Sequence, residues 1–213
     1  MNHWILWVLL FASLFGAWNW YAHERSVKHD SGVAVASERP VIELGSSDPP
    51  WTDRHGFRYK SVGRFYGRVV VVARRNYNIG EFATLAPTDL AIVWGPLSDP
   101  AMYGQLNFDQ RGSPLAGRFV FPELRRGTEI ASWPFPRIET FLLANLTHVH
   151  TIPSTSAIAS TLAGIRPGQL IRFSGRLVDT TSPSGGIYAS SRTLGDYNCE
   201  IAWIDEIELI RTF

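Results

Sequence analysis

Gln169-Leu170-Ile171-Arg172-Phe173-Ser174-Gly175-Arg176-Leu177-Val178 alternates with a period of two. Ile171, Phe173, Gly175 and Leu177 fall on one side and Arg172, Ser174 and Arg176 on the other, which predicts a β-strand with one buried and one wet face. On its N-terminal side, Ser154 to Ile165 predicts a helix. Ser154 or Thr155 can cap it, Ile158, Leu162 and Ile165 recur at helical spacing, and Pro167-Gly168 stops it. On its C-terminal side, Ser182-Pro183-Ser184-Gly185-Gly186 turns the chain so that Ile187 to Ser191 can pair back. Cys199, Ile201 and Trp203 alternate before Asp205, and Ile207 and Leu209 after it, so both pieces read as strand.

The same reading extends through the rest of the chain. Val69-Val70-Val71-Val72, inside Arg68 to Arg75, predicts a strand buried on both faces. Pro87 to Gly95 reads as a two-turn helix, started by Pro87 or Thr88 and stopped by Gly95. Gly104 to Phe108 and Gly117 to Phe121 read as strands joined by an Arg111-Gly112-Ser113-Pro114 turn. The expected fold is mainly β (α+β): a small mixed β-barrel or sandwich, with an OB-like barrel among the layouts that fit, carrying one or two short helices. This β-rich globular domain is placed at 51-213. Residues 23-50 are read as a flexible tether, low in large apolar residues and ending in Gly45-Ser46-Ser47-Asp48-Pro49-Pro50, with one short strand at Val41 to Leu44.

Residues 1-22 are expected to be a single-pass transmembrane anchor. Trp4 to Ala22 holds no charged residue, and its nineteen residues at about 1.5 Å each reach about 28 Å, the thickness of a bilayer's hydrocarbon core. Trp4 and Trp7 stand at one end and Trp18, Trp20 and Tyr21 at the other, where two membrane interfaces select aromatic rings. A cleaved signal peptide fits less well. There is no basic n-region, and Phe15 or Trp20 would occupy the −3 position. Arg25, Lys28 and Arg39 favour a cytoplasmic domain by charge, but Glu24, Asp30 and Glu38 dilute the bias. An extracytoplasmic domain is the preferred expectation. The lipid bilayer is thus the expected partner of residues 4-22, with a membrane-protein complex as a further one.

The chain of 213 residues balances 20 basic against 19 acidic side chains, and a net charge of +1 argues against nucleic acid as a partner. With 45% hydrophobic residues it can bury a core, which excludes disorder for most of its length. Cys199 is the single cysteine, so no intramolecular disulfide exists.

Three stretches look alike in a known group: Leu85 to Ala91 running on to Trp94-Gly95-Pro96-Leu97-Ser98-Asp99; His150-Thr151-Ile152-Pro153; and Ser190-Ser191-Arg192-Thr193 with Gly195-Asp196 and Cys199-Glu200. With Gly168-Gln169 and Gly175 to Val178 between them, they resemble a family of bacterial membrane-anchored proteins to which no activity is assigned. The resemblance spans roughly Val62 to Trp203. It implies a bacterial inner-membrane protein with a single domain, and it implies no chemistry.

Candidate site residues are few. His148 and His150, at i and i+2, share one side of a strand, an arrangement metals use, and Cys199 and Asp196 could add ligands. Hydrogen bonding near the following helix start is the simpler reading of both histidines. Cys199 with His148 or His150 could form a nucleophile–base pair, although a lone cysteine beside Ile201 and Trp203 is more often a buried hydrophobe. Asp89 and Asp99 could pair as carboxylates, but a helix start and an Asp-Pro turn explain them more cheaply. Arg172 and Arg176, with Arg74, Arg75, Arg125 and Arg126, could bind an acidic partner or lipid headgroups, against a solvated face as the default. No Gly-x-Ser-x-Gly elbow, phosphate loop, His-Glu-x-x-His or covalent cofactor motif is present, and no cofactor is expected. The favoured expectation is a membrane-anchored binding or accessory module rather than an enzyme. The alternative is a thiol- or metal-dependent hydrolase centred on His148, His150 and Cys199.

Overall fold

The computed structural model describes residues 3–24, 26–113, 117–128, 137–196 and 198–210. Its frame is a mixed eight-stranded sheet built around the alternating strand, β8 (Gln169–Thr181). Ile171, Phe173, Gly175 and Leu177 are buried, whereas Arg172 is exposed and Ser174 and Arg176 are half-buried, as the alternation predicts. One edge of β8 pairs antiparallel with β3 (Arg58–Asn76), the other with β10 (Glu200–Ile210). β3 is long enough to pair again, through its C-terminal half, with β4 (Thr88–Val93). β4 pairs antiparallel with β7 (Leu146–Pro153), and β7 pairs parallel with β10. The pairings therefore run in a circuit, β3–β4–β7–β10–β8 and back to β3. Register shifts in β3 and in β10 supply the bulges that let long strands bend.

Smaller pieces complete the sheet. β1 (Val41–Leu44) and β2 (Trp51–Thr52) pair with β3, and β9 (Ile187–Tyr188) pairs with β8. β5 (Leu106–Ser113) and β6 (Gly117–Leu124) form a separate antiparallel pair. The helices are short: α2 (Glu81–Leu85), α3 (Pro100–Tyr103), α4 (Ile138–Asn145) and α5 (Ser156–Gly164), after the leading α1 (His3–Glu24). Thr155 caps α5 by accepting from the Ile158 amide at 3.2 Å. The main core packs Phe65, Val69, Val71, Leu90, Ile92, Trp94, Val149, Leu162, Ile165, Ile171 and Phe173 together. A second cluster, with Val70, Ala91, Val93, Leu106, Phe141 and Leu146, lies where β5, β6 and α4 cover the outer face of β4 and β7.

Three expectations change. Thr88 to Val93 is a strand, not a helix, and all six residues are buried. Leu90 and Ile92 join the main core while Ala91 and Val93 join the second cluster. With both faces covered, the period of two is hidden, and only the β-branched and apolar content remains to signal a strand. Gly95 (φ 57°) does not stop a helix but opens a 3-10 turn, Gly95–Ser98. The segment read as a flexible tether is in part laid on the domain. The Val27 amide donates to the Pro167 carbonyl at 2.7 Å, His29 Nε2 to the Gly168 carbonyl at 2.6 Å, and Arg39 to the Leu194 carbonyl at 2.8 Å. Ala36 is buried, its amide donating to Ser98 Oγ at 3.0 Å. Gly168 (φ 82°) admits this strand-like crossing because the Val27 carbonyl occupies the place a Cβ would take.

Among the described residues no helix is long and apolar enough to cross a membrane, so the span expected over 1-22 is not shown. What stands there is the 22-residue α1, in which Trp4, Trp7, Val8, Leu9, Leu10, Phe11 and Leu14 are exposed. β5 carries Arg111, Gly112 and Ser113 past the expected turn, and Pro114, like Arg25, lies outside the described residues.

Candidate functional site

The register of β4 against β7 sets Asp89 opposite His150 and Ala91 opposite His148. Residues i and i+2 of a strand share a face, so both imidazoles and the carboxylate project to the outer side of the sheet, under β6. Asp89 is fully buried, and Arg118, His148 and His150 are 3%, 5% and 6% exposed. Four ionisable groups in so dry a place must satisfy one another.

Asp89 is the hub. Its Oδ1 lies 2.9 Å from His150 Nδ1, and its Oδ2 lies 3.6 Å from His148 Nε2 and 3.1 Å from Arg118 Nε. The Arg118 guanidinium is sandwiched between aromatic faces, 4.0 Å from the Tyr77 ring centre and 4.3 Å from that of Phe82, and its Nη2 donates to the Ala86 carbonyl at 3.0 Å. His148 Nδ1 lies 3.3 Å from Cys199 Sγ, and the two imidazole rings meet edge to face at 4.8 Å. Satisfaction is incomplete. Arg118 Nε and Nη1, His148 Nε2 and Asp89 Oδ2 are buried and make no aligned hydrogen bond among the described residues.

Burial governs the proton affinities. It pushes His148 down to about 3, with help from His150, so this ring is neutral. It pushes the Cys199 thiol up to about 12, reinforced by Glu200 and Asp89. A nucleophilic cysteine needs the opposite shift. Glu200, next along the chain, accepts a hydrogen bond from Thr147 Oγ1 and is raised by burial to about 8.

Two clefts flank Cys199. One, of about 750 Å³, is walled by Phe82, Phe119, Tyr188 and Ser190 and reaches Arg118 and His150 at its floor. The other, of about 520 Å³, runs past Phe121, Leu142 and His148. Cys199 and Asn198 line both.

The expected site residues therefore divide. His148, His150 and Cys199 come together, with one ligand atom of each within 4.8 Å of the others. The histidines serve the buried carboxylate rather than a helix start. Asp196 borders the larger cleft but is spent on its own turn. Burial works to raise its carboxyl, and hydrogen bonds from Ser191, Asn198 and Thr193 outweigh it and hold the group below the usual range. Asp99 caps α3, accepting from the Ala101 amide at 2.8 Å, and so fulfils the cheaper reading, whereas Asp89 leaves it. Arg172 pairs with Glu208 at 3.1 Å. Arg176 grips Asp205 through Nε and Nη2 at 3.1 and 2.9 Å and stacks on Trp51. Among the other basic pairs, Arg74 reaches the Ala163 carbonyl, Arg75 that of Gln110 and Arg125 that of Leu106.

Sequence reasoning missed Arg118, Tyr77 and Phe82. Arg118 lies in β6, Phe82 in α2 and Tyr77 in the connection between β3 and α2, and no spacing along the chain connects them with β7. No known protein family, curated protein or solved structure matches the chain.

Proposed function

We propose that the chain is a binding module held at a bacterial inner membrane, in which α1 enters the bilayer and a β domain outside the cytoplasm takes a ligand in the cleft above Arg118 and His150. The observation that carries this reading is the cleft itself. It opens about 750 Å³ of space onto Arg118, a buried guanidinium whose hydrogen-bonding capacity the described residues leave partly unused. Aromatic walls at Phe82, Phe119 and Tyr188 with polar groups at the floor suit a small molecule with a flat apolar body and a polar end. The membrane part rests on α1, whose described apolar side chains have no core to enter. The domain reads as OB-like. In support, five strands pair in a circuit, their one parallel contact joins β7 to β10, and α5 lies between β7 and β8.

A metal-dependent hydrolase is the second reading, favoured by the proximity of His148, His150 and Cys199. The thiol-dependent version is disfavoured by the raised Cys199.

Native mass spectrometry of full-length protein, extracted from host membranes in mild detergent, tests the first reading. The expected result is a protein that leaves the membrane pellet only with detergent and carries a stoichiometric non-lipid organic mass. That mass is reduced at least tenfold in occupancy by Phe82→Ala with Tyr188→Ala. Protein recovered without detergent, or bare of any such mass, contradicts it.

A further inference from the structure

An arrangement that a small-molecule pocket does not need lies beneath the cleft. One buried carboxylate accepts from His150 Nδ1 at 2.9 Å and lies 3.6 Å from His148 Nε2, near enough for charge but too far for a hydrogen bond. A carboxylate bonded to one imidazole nitrogen fixes the tautomer and turns the other nitrogen's lone pair outward, which is how metal-binding histidines are oriented. That leaves His150 Nε2 over, and His148 Nδ1 lies 3.3 Å from the Cys199 sulfur.

We propose that His148, His150 and Cys199 form a zinc site, with Asp89 as the positioning residue for His150 and the fourth coordination position open to the cleft. The geometry fits. One donor atom from each residue lies within 4.8 Å of the others. Tetrahedral zinc, with bonds of about 2.0–2.1 Å to nitrogen and 2.3 Å to sulfur, needs donors roughly 3.3–3.6 Å apart. Closing the remainder takes side-chain rotations of the order of an ångström. Two imidazoles and a thiolate are borderline-to-soft ligands, which select zinc over magnesium or calcium. Three protein ligands with an open position are the pattern of zinc sites that take a water or a ligand rather than purely structural ones. His148 is 5% exposed, and its ring stands between Asp89, 3.6 Å from its Nε2, and Cys199, 3.3 Å from its Nδ1. Arg118 competes for Asp89, its Nε lying 3.1 Å from Asp89 Oδ2, so the carboxylate is already paired with a fixed cation.

Binding is a proton exchange. The Cys199 sulfur–hydrogen bond breaks, its electron pair forms the sulfur–zinc bond, and one proton leaves to solvent for each zinc bound.

The proposal shares its site with the cleft-ligand reading, but its readout is metal and not organic mass, so either can fail alone. The test is titration of full-length, metal-stripped protein in detergent with zinc and, as a spectroscopic probe, cobalt. The expected result is one zinc per chain, one proton released per zinc, and a tetrahedral cobalt spectrum with a thiolate-to-cobalt band. Cys199→Ser abolishes that band, and His148→Ala weakens zinc at least 100-fold. Asp89→Asn weakens zinc about 10–100-fold while keeping the thiolate band. The cobalt spectrum of the unsubstituted protein keeps the proposal falsifiable if a variant fails to fold. Octahedral cobalt without the thiolate band, zinc no tighter than in Cys199→Ser, or stoichiometric binding of copper(I) alone overturns it.

Discussion

At the residue scale, Glu200 and Asp89 are two buried carboxyls in one neighbourhood with different company. Asp89 faces a guanidinium and two imidazoles, whereas Glu200 has the Thr147 hydroxyl as its hydrogen-bond donor and is pushed up to about 8, chiefly by burial. A carboxyl raised in the folded state binds a proton that the unfolded chain has already lost. Its contribution to stability is complete below its ordinary pKa of 4.5 and is lost as pH rises through about 8. The loss is on the order of a few kcal/mol at about 1.4 kcal/mol per pKa unit. Glu200→Gln keeps the acceptor for Thr147 and removes the titration. Urea unfolding of both proteins between pH 5 and pH 9 is expected to show the wild type weakening relative to the variant as pH rises. Parallel curves would mean that Glu200 does not titrate in this range.

At the element scale, β8 and β10 show what the pattern of residues announces and what it hides. Alternation in β8 was legible because one face of that strand is wet, and Thr155 with Pro167-Gly168 bracketed α5 correctly. β4 was misread because both its faces are covered, and with it went the role of Asp89, which a helix start explained too cheaply. Gly175 shows a third case. Its place in the alternation was visible, but not that a Cβ there would run into the Trp203 carbonyl beside the register shift between Ile204 and Glu206. Gly175→Ala is therefore expected to cost about 3 kcal/mol, since a paired backbone carbonyl cannot step aside as a side chain can. Ser174→Ala, one residue away and on the wet face, is expected to stay within about 0.5 kcal/mol. Urea midpoints compare the two. Equal midpoints would show that β10 yields at its bulge.

At the scale of the whole molecule, the site exists because four elements distant in sequence converge: β4 supplies Asp89, β6 Arg118, β7 the two histidines, and the approach to β10 Cys199. Spacing within β7 put His148 and His150 on one face, and that much could be read from the chain. The convergence of Arg118 and Asp89 on them depends on strand order and on the β5–β6 pair folding over the sheet, which no local pattern encodes. The segment after α1 belongs to the same layer of organisation. Val27, His29, Ala36 and Arg39 tie it to the domain, so part of the segment after α1 is laid on the β domain rather than running as a free tether. The central claim is that one buried carboxylate orients the His150 imidazole beside His148 and Cys199. It is tested most directly by long-range proton–nitrogen NMR of histidine-labelled, metal-free full-length protein in detergent. The account predicts a His150 ring whose proton sits on Nδ1, directed at Asp89. A His150 proton on Nε2, or one averaging between the two nitrogens, would contradict it.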